Sequence, residues 1–209
     1  HVDFMMSLAS AGDAPEAVHY LREYRTLLRH TTKPIIYSAP DRASAAAFLE
    51  LAAIAGGGEA AFARRPSVML FTQPVSPLQV SVYNEGMIEF AAAGAPILYS
   101  PGAMMGATSP ATLAGALVQG NAEALVGVVL AQLLRPGTPV VYGPHTPVMD
   151  MRTARCTYAG TEQALGRAAM AQLARHLGLP SFSTGAGVDA HAADVQAGAE
   201  AAMGIFLNG

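Results

Sequence analysis

"PVVYGPH", at Pro139–His145, has two near-copies earlier in the chain, "PIIYSAP" at Pro34–Pro40 and "PILYSPG" at Pro96–Gly102. Each runs proline, two aliphatics, tyrosine and a small residue. Proline opens a strand where the ladder needs no donor. The aliphatics suit a sheet covered on both faces. The small residue ends the strand where the backbone turns. The motif therefore reads as one strand, repeated in successive units. "VDFMMS" near the start, "SVMLFTQP" from Ser67 and "LPSFSTG" from Leu179 read as further strands. Phe71 and Phe182 are expected to stand where the tyrosines do.

Between the strands lie longer Ala/Leu-rich stretches with apolar residues at helical spacing. A first helix is expected through "APEAVHYLREYRTLLRH", capped by Asp13 with Pro15 in its first turn. A second runs from an Asp41 cap to the glycines at Gly56–Gly58. Others are expected through "VYNEGMIEFAAAG", from Ser109 onward, from Thr161 to His176, and through "DVQAGAEAAMGIFLN". The stretch from Pro144 to Ala159 reads as looser.

Strand then helix, about 30–40 residues per unit, forces a parallel α/β sheet through right-handed crossovers. An open doubly wound sheet and a (β/α)8 TIM barrel both fit. No G-x-G-x-x-G follows the first strand and no P-loop lysine is present, which weakens the nucleotide-binding reading. "AGGGE" at Ala55–Glu59 follows a helix and so reads as a helix stop. About six units are counted where a closed barrel needs eight. The expectation is an incomplete barrel, with residues 1–209 as a single domain from the central part of a longer chain, which here starts at His1.

Composition agrees. Hydrophobic residues make up 52% of the 209 and charged residues 13%, with a net charge of -3. That is a chain with much to bury, and not one for nucleic acid. The apolar run after Thr112 is interrupted by Gln119, Asn121 and Glu123 and reads as a buried helix, not a membrane span. A lone cysteine, Cys156, supplies neither a disulfide framework nor a Cys-based zinc site. A reducing, cytoplasmic setting is the mild expectation.

In either architecture the site lies at the carboxyl ends of the strands. Tyr37, Phe71, Tyr99, Tyr142 and Phe182 stand near those ends, followed by Gln73. Together the aromatics would suit an organic cation. The other reading has the tyrosines pointing outward, packed under helices with their hydroxyls bonded. His145, Asp150 and Arg152 fall in the looser stretch, where a site or an Asp–Arg-held loop is expected. Met104, Met105 and Gly106 form a loop that would suit a flat macrocycle or a partner, or fill gaps under the next helix. Asp189, His191 and Asp194 read better as a helix start with a capping aspartate than as metal ligands. Cys156 reads as structural.

Longer stretches carry a resemblance. "SPGAMMGATSPATLAGALVQGNAEALVGVVLAQLLRPGTPVVYG" at Ser100–Gly143, followed by "MDMRT" at Met149–Thr153, resembles the trimethylamine methyltransferase (MttB-like) family of corrinoid-dependent methyltransferases. "HTTKPIIYSA", "QPVSPL" and "DVQAGAE" resemble it in the same order. The resemblance implies a (β/α)8 barrel that moves a methyl group from a methylated amine to Co(I) of a corrinoid held by a partner protein, with no cofactor or metal bound by the chain itself. Family chains are longer and continue past "GIFLNG". Family members that use trimethylamine carry pyrrolysine. Only standard residues occur here, so the non-pyrrolysine branch, with substrates such as glycine betaine, is implied.

Three departures stand out: Ala154 where the family usually has glycine, "GTE" for "SPE" at Gly160–Glu162, and "GAGVDAHAAD" at Gly185–Asp194. On this reading Tyr99, Tyr142 and Phe182 would hold the ammonium. His145 and Arg152 would bind a substrate carboxylate with Asp150 orienting Arg152, and Met104, Met105 and Gly106 would face the corrinoid protein. A homo-oligomer is expected. The alternatives are a non-catalytic methylamine-binding paralogue and a barrel enzyme acting on a small carboxylated metabolite.

Overall fold

The computed structural model describes residues 3–7, 9–16 and 18–208. Val2 of the expected first strand and Ala17 of the expected first helix lie outside them. In chain order the elements are α1 (His19–His30), β1 (Ile35–Tyr37), α2 (Arg42–Ala55), α3 (Glu59–Arg64), β2 (Val68–Thr72), α4 (Gly86–Ala93), β3 (Ile97–Tyr99), α5 (Leu113–Leu134), β4 (Val140–Tyr142), β5 (Val148–Asp150), β6 (Arg155–Thr157), α6 (Thr161–Leu177) and α7 (Val195–Asn208). The class is α/β, with a parallel sheet and helices.

Local chemistry explains the ends of these elements. Asp41 accepts the Ser44 N–H at 2.7 Å and starts α2, as its position predicts. Gly94 stops α4 and Gly178 stops α6, both in the left-handed region at φ 69° and 68°. Asp194 accepts the Ala197 N–H at 3.0 Å and starts α7. The cap expected at Asp13 is not formed. α1 begins after Val18, and Asp13 instead pairs with Arg22 at 2.9 Å on the surface.

By its internal contacts the chain divides into two compact units. One holds His1–Thr72, Val80–Leu98 and Val129–Val140; the other holds Gln73–Gln79, Tyr99–Val128 and Val141–Gly209. The parallel ladder runs β1-β2-β3-β4, and β1 and β2 lie wholly in the first unit. Met5 adds a parallel bridge to Ile35, which is what the described part of "VDFMMS" contributes. β1 and β2 pair in parallel with Ile35 opposite Val68, Ile36 opposite Met69 and Tyr37 opposite Leu70. This register corrects one expectation. Leu70, not Phe71, occupies the tyrosine's place. Phe71 lies one residue on and faces the other side, because strand side chains alternate.

In the second unit, the end of β4 bridges Ser181 in parallel, so "LPSFST" does pair as expected. The looser stretch contains an antiparallel hairpin, β5–β6, with Asp150 opposite Arg155. α6 packs against α7.

α5 is long and apolar enough, by length and composition, to cross a membrane. Its polar interruptions are all engaged. Gln119 donates to the Thr108 carbonyl at 2.7 Å, Asn121 accepts from Tyr142 at 2.8 Å, and Glu123 accepts from Ser76 at 2.7 Å. The helix is therefore not buried all round as expected. One face is packed, and Val118, Val126, Val129 and Leu133 lie exposed on the rest.

Candidate active site

The repeated tyrosines come first, because they decide which face of the sheet the site uses. Tyr37 donates to Glu23 of α1 at 2.5 Å, and its ring meets Phe48 of α2 edge-on at 5.0 Å. Tyr99 is 1% exposed and lies flat under α5, where a Cβ on Gly127 would fall 2.1 Å from its ring. Tyr142 donates to Asn121 of α5 and packs with Ala124, Met170 and Ala174. All three point into the helix layer. Tyrosine shares its strand face with the first aliphatic of the motif, and that face packs against the helices. Tyr99 and Tyr142 therefore do not line a substrate cage. Burial pushes both hydroxyls up to about 12, with the Glu123 charge adding at Tyr99.

Phe182, by contrast, follows Ser181, which is bridged to Tyr142, so it falls on the opposite face. Its N–H donates to the Tyr142 carbonyl at 2.9 Å. Ser100, next after Tyr99, donates to the Gly143 carbonyl at 2.7 Å. Gly143 itself donates to the Tyr99 carbonyl at 3.0 Å. The strand ends in the second unit are thus closed by neutral groups.

Beyond them the chain segments after β3 and β4 run side by side. Gly102 bridges His145, and Met105 bridges Val148, both in parallel. The His145 imidazole sits over Gly102, where a Cβ would fall 2.9 Å from Nε2. Only glycine admits this approach. Burial, and then the Arg167 charge, lower the His145 pKa below its ordinary value against an opposing contact with the Gly143 backbone. His145 is thus a neutral imidazole at neutral pH.

Met104, Met105 and Gly106 do not offer a macrocycle a flat face. Met105 is 4% exposed, its N–H donates to the Pro147 carbonyl and its carbonyl accepts the Met149 N–H. Gly106, in the left-handed region at φ 82°, lies under Met151. Met104 is half-buried, and its N–H is held by the Thr108 hydroxyl at 2.9 Å.

Asp150 does not orient the Arg152 guanidinium. Its carboxylate accepts the Arg152 backbone N–H at 2.9 Å and the Thr153 hydroxyl at 2.8 Å, which builds the β5–β6 turn. These bonds hold its pKa below the usual carboxylate range, the Arg152 N–H first. Arg152 is exposed at that turn, and Gln73 is exposed just after β2.

Asp189 accepts the Tyr158 and Ala159 N–H groups, at 2.8 Å and 2.9 Å, and ties the loop before α7 to the start of α6. Burial raises the Cys156 thiol, which suits a structural residue. Ser100 and Gly143 open the two segments that the sequence places just beyond the strand ends, and the structure joins them. Each is the small residue directly after a motif tyrosine, so alternation puts it on the face opposite the tyrosine.

Comparison with known proteins now bears on this geometry. The trimethylamine methyltransferase (MTTB) family profile matches residues 5–208. The chain belongs to the trimethylamine methyltransferase family. It is 36% identical over 204 residues to the glycine betaine methyltransferase of Desulfitobacterium hafniense strain Y51, covering 96% of this chain and 42% of that protein. It is 35% identical to the trimethylamine methyltransferase MttB of Desulfitobacterium hafniense strain DSM 10664 / DCB-2, covering 93% and 40%. It is also 35% identical to the MttB of Methanosarcina barkeri, covering 99% and 42%. The chain thus spans about two-fifths of the length of these relatives. In this trimethylamine methyltransferase family chain, Ala154 stands where glycine was expected and adopts φ 55°. That is the left-handed region glycine favours, so the position is a glycine site occupied by alanine.

Proposed function

We propose that this chain is part of a (β/α)8 barrel enzyme that transfers a methyl group from a quaternary methylated amine, of the glycine betaine type, to a corrinoid presented by a partner protein. The family match across residues 5–208 carries the reading. The strand-end chemistry supports it. The face opposite the tyrosines carries Phe182, Ser100 and a neutral His145, with Tyr99 and Tyr142 withdrawn under helices.

A quaternary nitrogen suits such a lining. When the carbon–nitrogen bond breaks, its electron pair stays on nitrogen and a neutral tertiary amine leaves. No proton is required at that step. The corrinoid, a co-substrate, supplies the nucleophile that takes the methyl group. The chain's task is to hold the cation, exclude water and aim one methyl. Phe182 offers an aromatic face to the ammonium. His145 offers a ring N–H to a substrate carboxylate.

The test uses the full-length protein with cob(I)alamin as acceptor. Glycine betaine, carnitine, choline, proline betaine and trimethylamine are supplied separately, and methyl–cobalt formation is followed by absorbance. Transfer from a quaternary amine and not from trimethylamine is expected. Phe182→Ala should raise KM for that amine by about tenfold, as loss of a desolvated cation–π contact worth about 1–2 kcal/mol requires. Saturable amine binding without transfer, with the corrinoid partner also present, would replace the enzyme reading with a binding one.

A further inference from the structure

Glu123 is the only charged side chain in α5, and it is 1% exposed. A buried carboxylate ordinarily sits against a cation. Among the described residues its three donors are neutral. Ser76 Oγ donates to it at 2.7 Å, the Leu78 N–H at 3.1 Å, and Gln119 Nε2 at 3.0 Å. An apolar side chain would pack an otherwise apolar helix at lower cost, so packing alone does not account for the acid.

The positions of its partners do. Ser76 and Leu78 belong to the loop that follows β2. Gln119 also donates to the Thr108 carbonyl, at 2.7 Å, in the loop that follows β3. Thr108 in turn holds the Met104 N–H at 2.9 Å. One carboxylate thus reaches both loops, one directly and one through Gln119. It also captures the backbone of Leu78, a bulky residue held at φ 53°. Such a residue keeps that conformation only where its surroundings over-determine it. Here the reciprocal Val75–Gln79 backbone bonds bracket the residue, and the charge-assisted bond from its own N–H adds the tie to α5.

We infer that Glu123 is a positioning residue, which holds the loops after β2 and β3 in fixed relation at the carboxyl ends of the strands. It touches no substrate. The effect on turnover rests on the methyl-transfer reading above; the effect on loop order does not.

The experiment is amide hydrogen exchange on the full-length protein and its Glu123→Gln variant, with methyl transfer measured in parallel. Glutamine keeps the shape but sets an amide nitrogen against the Ser76 or Leu78 donor. Exchange should accelerate about tenfold in residues 73–79 and 104–109 and stay unchanged in β1 and β2, as loss of bonds to a charged group predicts. kcat should fall while KM holds. Ser76→Ala, a milder change that keeps the protein folded should the first variant not fold, should loosen 73–79 alone. Unchanged exchange in both loops overturns the inference. So does uniform acceleration across the sheet with kcat intact, the signature of a merely structural residue. If the wild-type protein transfers no methyl group but both loops loosen as stated, the methyl-transfer reading fails and the positioning role stands.

Discussion

At the scale of single residues, two tyrosines in the same motif position make opposite predictions. The Tyr142 hydroxyl donates to Asn121 at 2.8 Å, whereas the Tyr99 hydroxyl is buried with no hydrogen-bond partner among the described residues. Removing a satisfied group loses a bond, while removing an unsatisfied one relieves a desolvation penalty. Tyr142→Phe should therefore cost about 1 kcal/mol, and Tyr99→Phe should be neutral or stabilising by about 1 kcal/mol. Denaturant melts of the two variants decide it, and equal losses would mean the two hydroxyls are alike in solution. Ala154 gives a second test. Its φ of 55° strains any residue with a Cβ. Glycine relieves that strain but adds freedom to the unfolded chain, so Ala154→Gly should stabilise by about 0.5–1 kcal/mol net. A loss of stability in the same melt would show that the turn relaxes around alanine.

Among the elements, the contact that sets the helix layer is α5 on β3. Gly127 leaves room for the Tyr99 ring, and a Cβ there would fall 2.1 Å from it. Neither the ring nor the helix can move freely, so Gly127→Ala should destabilise by about 3 kcal/mol, at the upper end for overpacking. Combining it with Tyr99→Leu should recover part of that loss, because the smaller side chain vacates the space. No recovery would place the strain elsewhere. This contact also shows how far the sequence could be read. The repeated motif disclosed the strands and their order, since proline, aliphatics and a small residue each have a local reason. It did not disclose the side the tyrosine takes. Period-two alternation places tyrosine with the first aliphatic, but which face is covered depends on helices distant in sequence. The same gap moved Phe71 off the tyrosine register. The β5–β6 hairpin was missed because its signal is an Asp150 side chain bonded to backbone, with no hydrophobic run to mark it. Glu123 was seen only as an interruption of an apolar helix, since its partners lie in two other segments.

For the molecule as a whole, these shifted groups fix the shape of stability against pH. His145 has a lowered pKa, so below its ordinary value of about 6.5 the unfolded chain takes up a proton more readily than the folded one. Stability is therefore lost as pH falls through that value, and continues to fall until folded His145 itself is protonated. Asp150 and Glu200 are also lowered, by hydrogen bonds to their charged forms, and stability is lost to them only in the ordinary carboxylate range near pH 4 and below. On the alkaline side Tyr99 and Tyr142 are raised to about 12, so the unfolded chain releases protons first and stability is lost between about pH 10 and 12. The expected profile is a plateau from about pH 7 to 9, a first acid decline below about 6.5, a second near 4, and an alkaline decline that begins near 9 with the raised Cys156 thiol and steepens above 10. Urea midpoints across this range measure it directly. His145→Gln should abolish the first acid decline and leave the second, and Tyr142→Phe should make the alkaline limb shallower. A first decline that survives in His145→Gln would assign that proton to another group and would remove the argument that the imidazole over Gly102 is held neutral.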